Sequence, residues 1–233
     1  MSKKLLNSAP MLMTIGNGLM GGIAIFLSLK GHYEYILFLI LAASFLDTTD
    51  GWTARKMGIS SRGGENADLF SDLISFGLAP ALFIWKYFDT TSSIIVASLY
   101  LFAILFRLIR FRFGPGLEKG FIGVPSPIVA LGAVAATSLK GEWGIPVNLL
   151  LLTIMIFSFF AISNFKFPKW GHPSLNLFPK HFSILIYIVH LIFFAFYPAA
   201  SVLSMMVFYI LIGAFVMIRH KQKEDALDGA GVS

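Results

Sequence analysis

Long apolar runs separated by short polar turns dominate the chain, and they predict helices at 13–29, 34–50, 66–86, 91–110, 123–139, 145–164, 181–197 and 200–219. At 1.5 Å per residue each is long enough, or nearly so, to cross a hydrocarbon core. Runs such as YILFLILAASFL and ILIYIVHLIFFAFY lack the polar face that a helix in a soluble bundle needs. The pattern therefore predicts an all-α integral membrane protein of about eight transmembrane helices. Residues 1–220 read as a single transmembrane domain, and 221–233 as a polar, frayed tail. The start, MSKKLLNSAPML, imitates a signal peptide, but no small-x-small site precedes Lys30, so the first helix is read as uncleaved.

Composition agrees with a membrane chain. Apolar residues make up 57% and charged residues 13%, with a mean hydropathy of +0.79. Soluble domains are nearer one quarter charged. The 24 phenylalanines and 21 glycines suit helices that face lipid and pack closely. A net charge of +6 without a continuous basic stripe argues against nucleic acid and for anionic lipid or phosphate. With no cysteine, the chain has no disulfide, iron–sulfur cluster or cysteine zinc site.

The basic residues set the orientation. With the amino terminus inside, only Lys30, Lys86 and Lys140 of the 18 lysines and arginines fall outside. This predicts a multi-pass cell-membrane protein with both termini cytoplasmic. The longer loops 51–65, 111–122 and 165–180 lie on the same side, so the chemistry is expected there.

Four aspartates stand at the inner ends of the second and third helices: Asp47 and Asp50, then Asp68 and Asp72. Spacings of three and four place each pair on one helix face. Gathering four carboxylates at membrane depth is costly without a counter-charge, and hard divalent cations, Mg²⁺ or Mn²⁺, suit carboxylate oxygens. The plainer alternative is that the aspartates cap helices or pair with Arg55 and Arg62. Gly51, Ala54 and Gly64 leave room for a bulky ligand beside the backbone, and Arg55 offers a planar fork to phosphate.

The segment Asp47-x2-Asp50-Gly51-x2-Ala54-Arg55-x8-Gly64-x3-Asp68-x3-Asp72 resembles the signature of the CDP-alcohol phosphatidyltransferases. The resemblance implies a six-helix core, with two additional helices here, that binds a CDP-activated membrane lipid and releases CMP. It implies a two-ion site in which Asp47, Asp50 and Asp68 are metal ligands, with Asp72 metal-associated and the base for the acceptor alcohol. Gly51 and Ala54 would line the cytidine site, Arg55 would lie beside its phosphates, and Thr14 and Asn17 would face the nucleotide.

Further segments resemble the phosphatidylserine synthase branch of that family: Thr14, Asn17 and Gly21; Ser75-Phe76-Gly77 with Ala79 and Pro80; Arg107 to Phe111; Gly123, Pro125 and Pro127; and Ser163-Asn164 with Phe167-Pro168. L-serine is thus the expected acceptor. Arg107, Arg110, Arg112 and Lys119 form a cluster suited to its carboxylate or to a lipid phosphate, although positive-inside topology alone would also place them there. The sequence departs from the usual pattern at Met11, at Arg112, where the branch commonly has Asn, and at Glu65, which stands one position before the usual Glu.

Archaeal ether-linked donors and other alcohols, such as glycerol 3-phosphate, inositol phosphate or choline, stay open, as does a homodimer. A cation-coupled transporter is the non-enzyme alternative. It predicts midplane charges and an internal repeat, and neither is evident. His172, His181 and His190 lack a partnered nucleophile, and Trp52, Trp85, Trp143 and Trp170 fall near helix ends, as interfacial anchors do.

Overall fold

The structure, a computed structural model, describes residues 3–58, 62–114, 121–167 and 180–230, with side chains described except at 3–8, 55, 62, 121, 166, 180–187 and 216–230. Helices α1 (Lys3–Lys30) and α2 (Ile36–Met57) form an antiparallel pair. Next, α3 (Arg62–Asp72), a π-helical turn (Leu73–Leu78) and α4 (Ala79–Phe88) run on without a break. Then come α5 (Thr91–Phe113), α6 (Ser126–Trp143), α7 (Val147–Ile162), α8 (Lys180–Phe196) and α9 (Pro198–Ala230). The only strands among the described residues are β1 (Phe121–Ile122) and β2 (Lys166–Phe167), paired antiparallel with Phe121 opposite Phe167.

With α3, the π turn and α4 counted as one rod, the described residues of this all-α protein form eight helices, besides a short 3-10 turn at Tyr33–Tyr35. Five of the described stretches are long and apolar enough to cross a membrane: Ala9–Lys30, Tyr33–Ala54, Gly63–Phe88, Thr91–Phe113 and Pro198–Phe215. Val147–Ile162 is apolar but shorter. These stretches make the chain a multi-pass membrane protein.

Burial explains why the helices pack as they do. On α1, Thr14, Asn17, Gly21, Ala24 and Ser28 recur at helical spacing and are buried, while Met11, Leu12, Ile15, Leu19, Ile23 and Phe26 are exposed. Small and polar groups face the bundle, and bulky apolar groups face outward, where lipid is the solvent. At the centre is α6, whose Val129–Ala136 stretch is buried. It packs against α2, α4, α7 and α9. Gly132 admits the Phe157 ring of α7, since a Cβ there would lie 2.5 Å from it.

Several boundaries differ from the sequence reading. Helix α1 begins at Lys3 rather than near 13, and Pro10 lies inside it. The expected loop 51–65 is mostly helix: α2 continues to Met57, and α3 starts at Arg62. Thr53 there donates back to the Thr49 carbonyl within α2, and Glu65 reaches Arg112 of α5, contacts that hydropathy does not register. The tail from 221, expected to be frayed, continues α9 as far as Ala230. Lys30, Lys86 and Lys140 belong to the end opposite the aspartates: the Tyr33 hydroxyl donates to the Lys86 carbonyl at 3.0 Å, and the Lys140 ammonium lies 5.8 Å from the Tyr87 ring.

Candidate active site

The site forms where α1, α2, α3 and α5 converge around the aspartates. Close approach of α1 to the end of α3 and to the π turn is built on Gly18 and Gly21. A Cβ on Gly21 would lie 2.6 Å from the Ser75 Cα, and one on Gly18 would lie 3.0 Å from the Ser71 Oγ. This proximity lets the Ser75 hydroxyl donate to the Asn17 carbonyl at 2.7 Å. It also lets the fully buried Asn17 side chain donate from Nδ2 to Asp72 Oδ1 at 3.0 Å. The π turn follows Asp72 directly. Pro80 has no N–H for carbonyls one turn earlier, and the widened turn avoids its clash with them. The Phe76 carbonyl, four residues before Pro80, instead accepts from the buried Tyr100 hydroxyl of α5.

Asp47, Asp50 and Asp68 each present a carboxylate oxygen within 4.8 Å of the others. Thr14 Oγ1 donates to Asp50 Oδ2 at 2.8 Å, which orients this carboxylate from α1. Asp72 lies within hydrogen-bonding reach of Asp47. Two unit charges about 5 Å apart repel by roughly 3 kcal/mol at an effective dielectric of ~20. Three such pairs exceed what one hydroxyl donor to a charged acceptor offsets, about 1.5–3 kcal/mol. A divalent cation would resolve the imbalance. Asp68 Oδ1, buried and without a hydrogen-bond partner in the structure, fits a ligand atom waiting for one.

Arg107 supplies positive charge from α5. It shares a face with Tyr100, Ile104 and Leu108, so helical spacing alone carries it into the interior. It is 6% exposed, its Nη1 donates to the Ser126 hydroxyl, and it acts electrostatically on both Asp72 and Asp47. Its Nε is buried and has no hydrogen-bond partner.

Arg110 is differently employed. Nη1 donates to the Ile162 carbonyl at 2.8 Å and reaches Asn164 Oδ1 at 3.4 Å, while Nη2 donates to the carbonyls of Ile122 (2.8 Å) and Ala161 (3.0 Å). The guanidinium thus caps the last turn of α7 and ties it to β1. Gly123, at φ +74°, makes this junction; a Cβ there would lie 2.4 Å from the Ala161 carbonyl oxygen and 2.6 Å from Arg110 Nη2.

Arg112 pairs with Glu65 of α3 at 3.0 Å, so two of the three departures from the usual family pattern meet each other. Gly51, Ala54 and Gly64 lie half-buried in α2 and α3, the helices that carry the aspartates. Lys119 lies outside the described residues, as do His172, Trp170 and the side chain of Arg55. Of the sequence-predicted residues, the structure joins Thr14, Asn17 and the four aspartates through named contacts, with Arg107 beside them. Sequence reasoning missed Ser126, Tyr100 and the Glu65–Arg112 pair, which join positions far apart in the chain.

Residues 7–178 match the CDP-alcohol phosphatidyltransferase family. The chain belongs to this family. It is 35% identical over 169 residues to archaetidylserine synthase of Methanothermobacter thermautotrophicus, an alignment spanning 69% of each chain. It is 36% identical over 132 residues to CDP-diacylglycerol–serine O-phosphatidyltransferase of Methanocaldococcus jannaschii, covering 57% of this chain and 63% of that one. The enzyme of the same name from Bacillus subtilis is 30% identical over 176 residues, covering 74% of this chain and 97% of that one. Family membership and the acidic cluster together support a metal-assisted phosphotransferase acting in the membrane.

Proposed function

We propose that the protein transfers a phosphatidyl-type group from a CDP-activated membrane lipid to the hydroxyl of L-serine, releasing CMP. The observation that carries this reading is the convergence of Asp47, Asp50 and Asp68 within 4.8 Å, with Asp72 held beside them by Asn17. Asp47, Asp50, Asp68 and Asp72 would hold Mg²⁺ or Mn²⁺, as two ions. When bound, the ions supply charge neutralisation for the pyrophosphate.

The chain's own residues do the rest. Asn17 fixes one oxygen of Asp72, leaving this carboxylate to accept the acceptor's proton. The serine oxygen bonds to the lipid-side phosphorus, the bond from that phosphorus to the bridging oxygen breaks, and CMP leaves with the electron pair. Gly51, Ala54, Arg55 and Gly64 bound the CDP site, with Thr14 and Asn17 orienting its carboxylates. Arg107, buried and with Nε unpartnered, receives the serine carboxylate. Arg112 borders the entrance, and Arg110 braces it.

The proposal includes eight spans, residues 1–220 as one catalytic domain, and cytoplasmic termini and site, the last supported by the distribution of basic residues. Serine as acceptor is supported by the activities for which the archaeal and bacterial relatives are named. The archaetidylserine synthase likeness favours an ether-linked donor as the second reading. Purified protein with Mn²⁺, offered CDP-diacylglycerol or its archaeal ether counterpart and each of L-serine, glycerol 3-phosphate, inositol phosphate and choline, tests both readings. Serine should yield a lipid bearing a primary amine and a carboxylate. Efficient conversion of another alcohol, with none of serine, would refute the acceptor assignment.

A further inference from the structure

We propose that Ser75, in the π turn, is a positioning residue for proton transfer: by gripping the backbone of Asn17, it sets the side-chain amide that aims the Asp72 carboxylate at the acceptor hydroxyl. The inference rests on the reading of Asp72 as the base and extends it to a residue outside the aspartate cluster. Asn17 is held from two sides by one stretch of chain. Its Nδ2 donates to Asp72 Oδ1 at 3.0 Å, and its carbonyl accepts from the Ser75 hydroxyl at 2.7 Å. Asn17 and Ser75 are fully buried, whereas Asp72 is half-buried, so Asp72 is the member of the trio open to a substrate.

Asn17 Oδ1 is buried and has no hydrogen-bond partner in the structure, so no second side-chain bond steadies the amide. Its placement therefore depends on the backbone that carries it. The Asn17 carbonyl lies inside α1, where the helical bond to the residue four positions on uses one of its two lone pairs. That residue is Gly21, and the missing side chain opens the second lone pair to Ser75: a Cβ on Gly21 would lie 2.5 Å from Ser75 Oγ. Ser75 stands three residues after Asp72, in the π turn that follows it directly. Asp72, Asn17 and Ser75 thus close a ring of two hydrogen bonds and a short run of backbone. Releasing the bond at Ser75 lets α1 and the π turn shift, and the amide then no longer meets Asp72 Oδ1 squarely.

The test times a single turnover of CDP-diacylglycerol by full-length protein in excess, at saturating Mn²⁺ and L-serine. It compares wild type, Ser75→Ala, Asn17→Ala, Asn17→Ser, Asp72→Asn and the two Asn17 variants combined with Ser75→Ala. A single-turnover rate constant is independent of the fraction of active protein, so partial misfolding does not obscure the result. Ser75→Ala should lower it about tenfold, within what a ~1 Å displacement of a reacting group causes, with the KM for serine and for CDP-lipid unchanged. In either Asn17 background, Ser75→Ala should lower the rate constant no further. The Ser75 bond ends on backbone and survives in the Asn17 variants, so Ser75→Ala should cost the same Tm in all three backgrounds. A serine that only packs helices would instead cost rate equally in all three. That equal loss, or no loss from Ser75→Ala alone, overturns this proposal and leaves the Asp72 reading standing. Unchanged rate constants in both Asn17 variants also overturn it. Failure of the wild type to turn over, or an unchanged rate constant in Asp72→Asn, removes the underlying reading and this proposal with it.

Discussion

Replacing Gly21 by Ala should both loosen the bundle and disable the site. The added Cβ would lie 2.5 Å from Ser75 Oγ, 2.6 Å from Ser75 Cα and 2.8 Å from Ser75 N. Two of these atoms are backbone, so no rotamer change relieves the clash. Restoring ordinary carbon contacts near ~3.5 Å requires α1 and the π turn to separate by about 1 Å. Overpacking of this kind costs about 1–3 kcal/mol, or roughly 2–10 °C in Tm for a chain of this size. The same displacement stretches the 3.0 Å Asn17–Asp72 hydrogen bond beyond its useful range, and misplacing a reacting group by ~1 Å can cost up to about 100-fold in rate. Gly22, with no atom within 4 Å of its hypothetical Cβ, is the internal control; Gly22→Ala should be neutral or stabilising by about 0.5–1 kcal/mol. Thermal unfolding in detergent and CMP release are measured on both variants. Equal Tm values and equal rates for the two would refute the claim that close approach at Gly21 builds the site.

Asp72→Asn should leave CDP-lipid binding largely intact while lowering kcat by about 10²–10⁴-fold, whereas Asp68→Asn should also raise the metal concentration needed; single-turnover rates across a Mn²⁺ titration separate the two. Gly123→Ala should destabilise the protein more than Gly144→Ala, because both glycines have positive φ but only Gly123 faces Ala161 and Arg110, and differential thermal unfolding measures the gap. Reversing the charge of Glu65 or Arg112 singly should lower stability by less than about 1 kcal/mol, and the double swap should restore it. The effect should fade in high salt, and a swap no better than either single variant would deny the pair any coupling.

Much of the site was legible in the sequence because its chemistry is local. Asp47 and Asp50 share a helix face, as do Asp68 and Asp72, and a short connection makes the two faces neighbours. Thr14 and Asn17 stand out as polar residues on an apolar helix, and the structure brings both to the aspartates. The arginine cluster was less legible, since Arg107, Arg110 and Arg112 look alike in a basic run. Helical phase sends Arg107 inward, Arg110 to the carbonyls at the end of α7, and Arg112 to Glu65. Those partners lie on other helices, and pairing across helices leaves no periodic trace. The π turn and the continuation of α2 through the expected loop were hidden for the same reason. Hydropathy reports affinity for lipid, whereas these features answer to Pro80, Tyr100 and the packing of α1.

The central claim is that the aspartate cluster works as a metal site for transfer from a CDP-lipid. The most direct measurement is CMP release from a CDP-lipid with L-serine by protein stripped with chelator, before and after Mg²⁺ or Mn²⁺ is restored. The account predicts no release from the stripped protein, recovery with either ion, and no recovery at the same concentrations in Asp47→Asn or Asp68→Asn. Undiminished CMP release after rigorous metal removal would contradict it.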